Sequence, residues 1–261
     1  MDNRPIGFFD SGVGGVTTIP HIMRMLPNES IIFFGDTART PYGSKSAKTI
    51  RQFTLQIGEF LKNNDVKMIV IACNTVSSTA LELLRETYPD IPIVGCITPT
   101  AKEVVKICDK DSRIGIMATK ATVKSGVYED KIKSLNEELF IESIACPALV
   151  PLIEEGIIDN EIMDLTLKYY LDDFIRENDI NTLILGCTHY PLISKNLKRL
   201  YPNIKIFSSS KEVATAVKME LEAADMLSQN ENAKSIFYAS DLSENFVNMI
   251  ERILGRDSDE L

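Results

Sequence analysis

Short hydrophobic runs alternate along the chain with longer segments in which apolar residues recur every three or four positions. The runs predict strands at residues 6–9, 31–34, 68–72, 91–94, 114–117, 140–144, 182–185, 204–207 and 235–238. Because most runs are continuously apolar, both faces of each strand are expected to be covered, as in a parallel sheet. The alternation of strands and helices predicts an α/β protein with doubly wound parallel sheets.

Two of the intervening segments have the periodicity of amphipathic helices that pack on such a sheet. Each has one apolar stripe. The stripes are formed by Val76, Ala80, Leu83 and Leu84, and by Leu242, Phe246, Met249 and Ile253.

The chain also contains an internal repeat. A Tyr-Pro dipeptide follows Cys73 and Cys187 at nearly the same distance, at Tyr88 and Tyr201, and an Ile-Gly pair begins the first strand of each half. Two similar α/β domains related by a pseudo-two-fold axis are therefore predicted. We expect residues 1–97 and 209–261 to form the first domain, since the last segment crosses back, and residues 98–208 to form the second.

Composition and charge exclude several classes of protein. Of the 261 residues, 44% are hydrophobic and 25% are charged, which is ordinary for a globular protein, and the net charge of −9 disfavours a nucleic-acid partner. No apolar run approaches the ~20 residues that span a bilayer, and the N-terminus shows no secretory pattern. Five widely spaced cysteines without a Cys-x-x-Cys pair disfavour a disulfide scaffold. A cytoplasmic protein with reduced thiols is expected.

Ligands of parallel α/β sheets bind beyond the carboxyl ends of the strands. The residues that follow the predicted strands are small, hydroxylic or amide side chains, together with two thiols, an aspartate and a histidine. The glycine run at positions 12, 14 and 15 matches neither a dinucleotide fingerprint nor a P-loop. It predicts either a structural turn or a loop whose backbone approaches a ligand closely at the start of a helix.

Cys73 and Cys187 occupy matching positions, each after an apolar strand and one small residue. A buried cysteine is usually a small hydrophobic residue, and this is the interpretation for Cys96, Cys108 and Cys146. A thiol at the start of a helix or beside a base can have a lowered pKa and then exchange a proton. Two thiols on opposite sides of one ligand can remove a proton from one face of a carbon and deliver one to the other face, which inverts a stereocentre.

Other polar residues near the thiols are candidate proton partners. His189 lies two residues beyond Cys187, and Asp10 occupies the end of the first predicted strand. Glu154 either takes part in the site or stabilises the dipole of a helix. The second histidine, His21, is expected on the surface of a helix.

These residues lie in motifs that resemble those of bacterial cofactor-independent glutamate racemases. The motifs, in the same order as in that family, are Asp10-Ser-Gly-Val-Gly-Gly15, Pro41-Tyr-Gly43, Ala72-Cys-Asn-Thr75, Val150-Pro-Leu-Ile-Glu154 and Leu185-Gly-Cys-Thr-His-Tyr-Pro191. The resemblance implies two similar α/β domains with the active site in the cleft between them, and reversible interconversion of L- and D-glutamate for peptidoglycan synthesis. It also implies a homodimer that uses neither pyridoxal phosphate nor a metal.

The resemblance further implies the roles of individual residues. Cys73 deprotonates D-glutamate and Cys187 deprotonates L-glutamate, while Asp10, Glu154 and His189 assist the thiols. Together with the residues at the strand ends, the predicted substrate-binding set is Asp10, Ser11, Pro41, Tyr42, Gly43, Asn74, Thr75, Thr119, Thr122, Thr188 and His189.

Alternative functions stay open from the sequence alone. A racemase of aspartate or hydantoin would keep both cysteines, although the Asp-Ser-Gly-Val-Gly-Gly motif disfavours it. A cysteine hydrolase built on Cys187 and His189 would not need Cys73, and a non-catalytic amino-acid-binding protein would bind glutamate without exchanging its α-hydrogen. A metal site formed by the same three residues is short of ligands.

Overall fold

The computed structural model describes residues 1–255, and every strand predicted from the sequence is present in it within two residues of its expected bounds. The strands are β1 (Ile6–Asp10), β2 (Ile31–Gly35), β3 (Met68–Ile71), β4 (Ile93–Gly95), β5 (Arg113–Ala118), β6 (Phe140–Ala145), β7 (Thr182–Gly186), β8 (Lys205–Ser208) and β9 (Ser235–Ala239). The α-helices are α1 (Ile19–Met25), α2 (Ala47–Asn63), α3 (Asn74–Thr87), α4 (Ile97–Ile107), α5 (Lys120–Ser125), α6 (Val127–Leu135), α7 (Leu149–Glu154), α8 (Glu161–Asn178), α9 (Ser194–Leu200), α10 (Ser210–Ala223) and α11 (Glu244–Leu254).

The strands form two parallel sheets, which confirms the predicted fold class. The first sheet has the order β4-β3-β1-β2-β9 and the second has the order β6-β5-β7-β8. Counted from the start of each half, the first four strands have the same order, 2-1-3-4, in both sheets. β9 joins the first sheet after the chain has passed through the second. The residue bounds of the two domains given above stay a prediction.

Burial explains why these segments are strands. Every residue of β1, β3 and β7 is buried, because helices cover both faces of each sheet. One hydrophobic cluster continues from the first sheet through α1, α4 and α10 to the second sheet. The two halves therefore share a core, and this core fixes their positions relative to each other. No helix within residues 1–255 is long and apolar enough to cross a membrane.

Two expectations about single residues are wrong. Leu242 precedes α11 and is 70% exposed, whereas Phe246, Met249 and Ile253 are buried as expected. The helix begins only at Glu244 because the side chain of Ser243 caps it, accepting a hydrogen bond from the Phe246 amide at 3.1 Å. His21 is buried rather than exposed, since α1 packs against α10.

Candidate active site

A small cavity lies between the two halves, at the carboxyl ends of their strands. In each half the strand order reverses between the first and third strands, and this switch point is where parallel sheets bind ligands. The cavity is lined by Ser11, Pro41, Tyr42, Gly43, Cys73, Asn74, Thr75, Thr119, Val150, Cys187, Thr188 and His189. All of these except Val150 belong to the predicted site. Three predicted residues, Asp10, Thr122 and Glu154, lie behind this lining.

The two thiols reach the cavity from opposite halves. Cys73 follows β3 and occupies the N-cap position of α3, and Cys187 follows β7; both are buried. The thiol of Cys73 donates a hydrogen bond to Ser11 Oγ at 3.5 Å. Burial, together with the charge of Asp10, raises the pKa of Cys73 well above its ordinary value, although hydrogen bonds that the Ser11 hydroxyl and the Val76 amide donate to the thiolate form oppose this. The lowering that a helix start can produce is therefore outweighed, and Cys73 is protonated in this arrangement.

Cys187 has a different set of neighbours. Its Sγ atom lies 3.8 Å from Nδ1 of His189, and Nε2 of the same ring lies 3.0 Å from Oε1 of Glu154. Burial opposes the charged imidazole, but the hydrogen bonds to Cys187 and Glu154 raise the pKa of His189 well above its usual range. The pKa of Glu154 is lowered, because the hydrogen bonds from His189 and Thr40 outweigh the effect of burial. A chain of polar groups thus runs from the thiol to Glu154.

Asp10 is fully buried at the end of β1 and supports the site from behind. Its Oδ2 atom accepts hydrogen bonds from the amides of Gly12 and Gly15 at 3.3 and 2.9 Å. The hydroxyl of Thr188, from the other half, lies 3.3 Å from both carboxylate oxygens. Burial raises the pKa of Asp10, while the charge of His189 and these hydrogen bonds work against the rise. Asp10 therefore touches groups of both halves.

Three hydroxyl groups form a triangle on one side of the cavity. Thr75 Oγ1, from the first half, lies 2.9 Å from Thr119 Oγ1 and 3.4 Å from Thr122 Oγ1, and the last two lie 3.1 Å apart. Either atom of each pair can be the donor, so the triangle can turn its protons towards a ligand. It can hold a carboxylate without a cation. The residues that line the described cavity include no Lys or Arg.

The glycines of the loop after β1 lie close to side chains of the other half. A Cβ atom at Gly14 would lie 2.6 Å from both His189 Nδ1 and Thr188 Oγ1, and one at Gly12 would lie 2.8 Å from Glu154 Oε1. The loop therefore lets the second half pack closely against the first. Its amides at Gly12 and Gly15 bind Asp10, an anion of the protein itself.

Sequence reasoning missed several residues that support the lining. Asp36 is fully buried, accepts a hydrogen bond from the Tyr42 hydroxyl and binds Arg39 Nε with both carboxylate oxygens, at 2.9 and 2.7 Å. Asp36 follows β2 as Asp10 ends β1, so the strand-end rule that selected Asp10 could have selected it too. Two residues in contact across the halves carry no such signal. They are Thr40, which donates to Glu154 at 3.1 Å, and Tyr128, which donates to Asn74 at 2.6 Å.

The described residues do not form a recognisable metal-binding site. Within residues 1–255 no group of three or more His, Cys, Asp and Glu side chains is arranged to hold a metal ion. All five cysteines are free thiols. The arrangement brings two thiols, one from each half, to the lining of one cavity, where each can exchange a proton with the same small ligand.

The chain is similar to known proteins over nearly its whole length. Residues 16–217 match the Asp/Glu/Hydantoin racemase family. A glutamate racemase of Geobacter metallireducens is 41% identical over 257 residues, which cover 98% of this chain and 94% of that protein. A glutamate racemase of Sulfurihydrogenibium sp. is 48% identical over 215 residues, which cover 82% of each chain. The crystal structure of glutamate racemase from Francisella tularensis in complex with D-glutamate has a TM-score of 0.92 and 37% identity, covering 98% of this chain and 95% of that one.

Proposed function

The chain belongs to the Asp/Glu/Hydantoin racemase family, and we propose that it interconverts L- and D-glutamate by moving the α-proton between Cys73 and Cys187. The resemblance to glutamate racemases that the sequence motifs predicted is confirmed by the similar proteins. The protein is an isomerase, and its substrate is glutamate.

One observation carries the mechanism that we propose. Cys73 and Cys187 follow the third strand of their respective halves and line the same cavity. A proton taken by one thiol from one face of Cα can therefore be replaced by the other thiol at the opposite face. Starting from D-glutamate, Cys73 acts as the thiolate base and Cys187 as the thiol acid. Starting from L-glutamate, the roles are exchanged. In each turnover the thiolate gains a proton and the thiol loses one, so the two cysteines exchange their protonation states.

The surroundings must make a weak carbon acid reactive. Burial stabilises the neutral form of Cys73, so its thiolate needs a positive charge nearby to form. The α-ammonium group of the substrate can provide that charge inside a cavity that has no Lys or Arg in its described lining. Enclosure also strengthens each hydrogen bond to the negative charge that develops as the Cα–H bond breaks.

Neutral donors are proposed to hold the substrate carboxylates. The Thr75, Thr119 and Thr122 hydroxyl groups lie together on one side, and Ser11, Asn74 and Thr188 are further polar residues close by. Hydrogen bonds from these groups can satisfy an anion without full ion pairing. Without a cation paired to each carboxylate, the thiolates remain the strong bases of the site.

We further propose the cellular role and assembly implied by the resemblance. D-glutamate made by this enzyme would be used in peptidoglycan synthesis, and the protein would work in the cytoplasm as a homodimer. A reducing compartment fits a mechanism that needs two free thiols. Light scattering after size-exclusion chromatography tests the dimer, and a monomer at all concentrations that support turnover would contradict it.

The central experiment follows the α-hydrogen. Each glutamate enantiomer is incubated with the enzyme in heavy water, and NMR measures the loss of the α-proton signal while polarimetry measures the approach to zero rotation. The wild-type protein is expected to exchange the α-hydrogen and racemise both enantiomers. Aspartate, tested in parallel, is expected to turn over far more slowly. Absence of α-hydrogen exchange would instead support a binding protein or a hydrolase.

Substitutions test the two-thiol mechanism. Cys73→Ala and Cys187→Ala are each expected to abolish racemisation while D-glutamate still binds, as measured by calorimetry. Cys108→Ala is the matched control, because Cys108 is also buried but does not line the cavity. Wild-type racemisation in both directions by either of the first two variants would show that the mechanism is wrong.

A further inference from the structure

The side chain of Asn74 is held from the opposite half of the protein. Asn74 is the first residue of α3, directly after Cys73, and lines the cavity. Its Oδ1 atom accepts a hydrogen bond of 2.6 Å from the hydroxyl of Tyr128 on α6. Its Nδ2 atom is buried and has no hydrogen-bond partner among the described residues. A buried amide nitrogen without an acceptor is costly, so this group is available to a ligand in the cavity.

Tyr128 is suited to act as a permanent donor. The residue is only 1% exposed, and burial, reinforced by the charge of Cys96, raises the pKa of Tyr128 well above its ordinary value. The hydroxyl therefore keeps its proton wherever the enzyme is folded. The phenol donates this proton to the Oδ1 atom of Asn74, which can only accept. In the turned-over amide the NH₂ group would face the phenol oxygen, which would have to accept instead, and the phenol proton would lose its acceptor, so the hydrogen bond favours one of the two orientations of the amide.

We propose that Tyr128 is a positioning residue, which fixes the amide of Asn74 so that its NH₂ group faces a carboxylate of glutamate. Turning the amide over would place its carbonyl oxygen against that carboxylate, and two acceptors repel each other. This inference rests on the proposed function, since it takes glutamate as the ligand. The hydrogen bond also joins the two halves, so the amide is oriented only while they have this arrangement.

The main test removes the hydroxyl alone. In Tyr128→Phe the amide can adopt either orientation, and the KM is expected to rise roughly tenfold for both glutamate enantiomers. The kcat is expected to change much less, because neither thiol has been touched. Tyr201→Phe is the matched control: its hydroxyl binds Asp172 at 2.7 Å in the same half of the chain, away from the cavity. This control should keep both kinetic constants.

A double-mutant cycle separates positioning from a structural role. If Tyr128 acts through Asn74, Tyr128→Phe should raise the KM in the wild-type background and have no further effect in an Asn74→Ala background. A structural role would lower the thermal midpoint and leave the KM unchanged, or would give losses that add. Either result would overturn the proposal, as would a KM within twofold of wild type.

A second variant leaves the buried phenol in place, in case Tyr128→Phe does not fold. Asn74→Asp keeps an acceptor for Tyr128 but replaces the NH₂ group by a second acceptor. It is expected to bind D-glutamate more weakly than Asn74→Ala, and wild-type affinity would overturn the proposed orientation. Experiment can also distinguish failure of the proposed racemase function from failure of the proposed role of Tyr128. A wild-type protein that does not racemise glutamate contradicts both, whereas active wild type with an unchanged Tyr128→Phe variant contradicts only the role of Tyr128.

Discussion

The Nδ1 atom of His189 lies 3.8 Å from the Sγ atom of Cys187, so one of the two thiols has an imidazole at its side. Cys73, at the matching position of the other half, instead has the Ser11 hydroxyl at 3.5 Å and the charge of Asp10 nearby. The fold is repeated, but the groups that support the two thiols are not. This difference makes the two proton transfers separable by experiment.

Replacing each supporting group should slow a different proton transfer. His189→Asn and Asp10→Asn are each expected to lower kcat/KM by roughly 10²-fold or more, the usual effect of losing a positioned acid–base group. The two enantiomers have equal free energies, so the loss must be the same in both directions. The primary deuterium isotope effect distinguishes the two directions. It should increase most with L-glutamate as the substrate in His189→Asn, and with D-glutamate as the substrate in Asp10→Asn.

These isotope effects are measured with glutamate deuterated at Cα. The control is Asn64→Ala, because Asn64 lies at the end of α2 and its side chain donates a hydrogen bond to the backbone carbonyl of Phe60 at 2.8 Å. It should retain wild-type isotope effects. If both active-site variants raise the isotope effect equally for the two enantiomers, His189 and Asp10 do not serve separate thiols.

The His189–Glu154 pair should contribute to stability in a limited pH range. The pKa of His189 is raised on folding, so its contribution is complete below the ordinary value of 6.5 and is lost as the pH rises through the folded value. The pKa of Glu154 is lowered, so its contribution is present above the ordinary value of 4.5 and is lost as the pH falls through the folded value. Both contributions are complete between about pH 4.5 and 6.5.

Urea unfolding across the pH range checks this prediction. The free energy of unfolding of the wild type minus that of His189→Asn should be largest in that window and should decrease towards higher pH. A difference that is constant from acid to alkaline pH would mean that the hydrogen bond of 3.0 Å between Nε2 and Glu154 does not depend on the charge of the ring.

A buried ion pair far from the site should matter for stability alone. Lys67 Nζ lies 2.6 Å from Glu29 Oε2, both side chains are at most 2% exposed, and the ammonium also donates to the carbonyls of Asp2 and Met226 at 2.7 Å each. Lys67→Met would leave the carboxylate buried and is expected to destabilise the fold by about 3–5 kcal/mol. Lys67 precedes β3, at the opposite end of the strand from Cys73, so the folded variant should keep its kcat.

Denaturant titration measures this cost. Adding Glu29→Gln to Lys67→Met should recover part of the lost stability, because the uncompensated charge is removed. Arg176→Met is the control, since its ion pair with Asp173 is largely exposed and contributes little. Equal losses in the buried and exposed variants would contradict the prediction.

The elements that the sequence predicted well are those whose signal is local. Each buried strand is a continuous apolar run, and the rule that ligands bind at the carboxyl ends of strands selected both thiols and most of the cavity lining. The spacing of Leu242 fits the apolar stripe and wrongly places this residue in the helix, whereas a cap at Ser243 decides where the helix begins.

The elements that the sequence did not predict depend on contacts between distant segments. Thr40 meets Glu154, and Tyr128 meets Asn74, only because the two halves share a core and close on each other. No periodicity or motif within either segment encodes such a pairing. The same reason explains the glycine loop: its glycines could be recognised in the sequence, but their neighbour in the other half could not.

The close approach of Gly14 to His189 gives the glycine loop a testable role. In Gly14→Ala the new Cβ would lie 2.6 Å from both His189 Nδ1 and Thr188 Oγ1, closer than side chains can approach, so the imidazole must shift from its position beside Cys187. The variant is expected to lose roughly 10²-fold in kcat/KM, as when a positioned general acid or base is lost. Overpacking should also cost about 1–3 kcal/mol of stability.

Gly58→Ala separates these two effects. Its Cβ would lie 2.6 Å from Leu84 Cδ1 and 2.8 Å from Tyr88, a comparable clash, but between α2 and the α3 region in the core of the first half. We expect it to lower the free energy of unfolding by a similar amount and to leave kcat/KM unchanged, since neither neighbour lines the cavity. Adding His189→Asn to Gly14→Ala should cause little further loss of activity, because the imidazole is already displaced. A Gly14→Ala variant with wild-type kcat/KM would show that the loop does not hold His189 against the thiol.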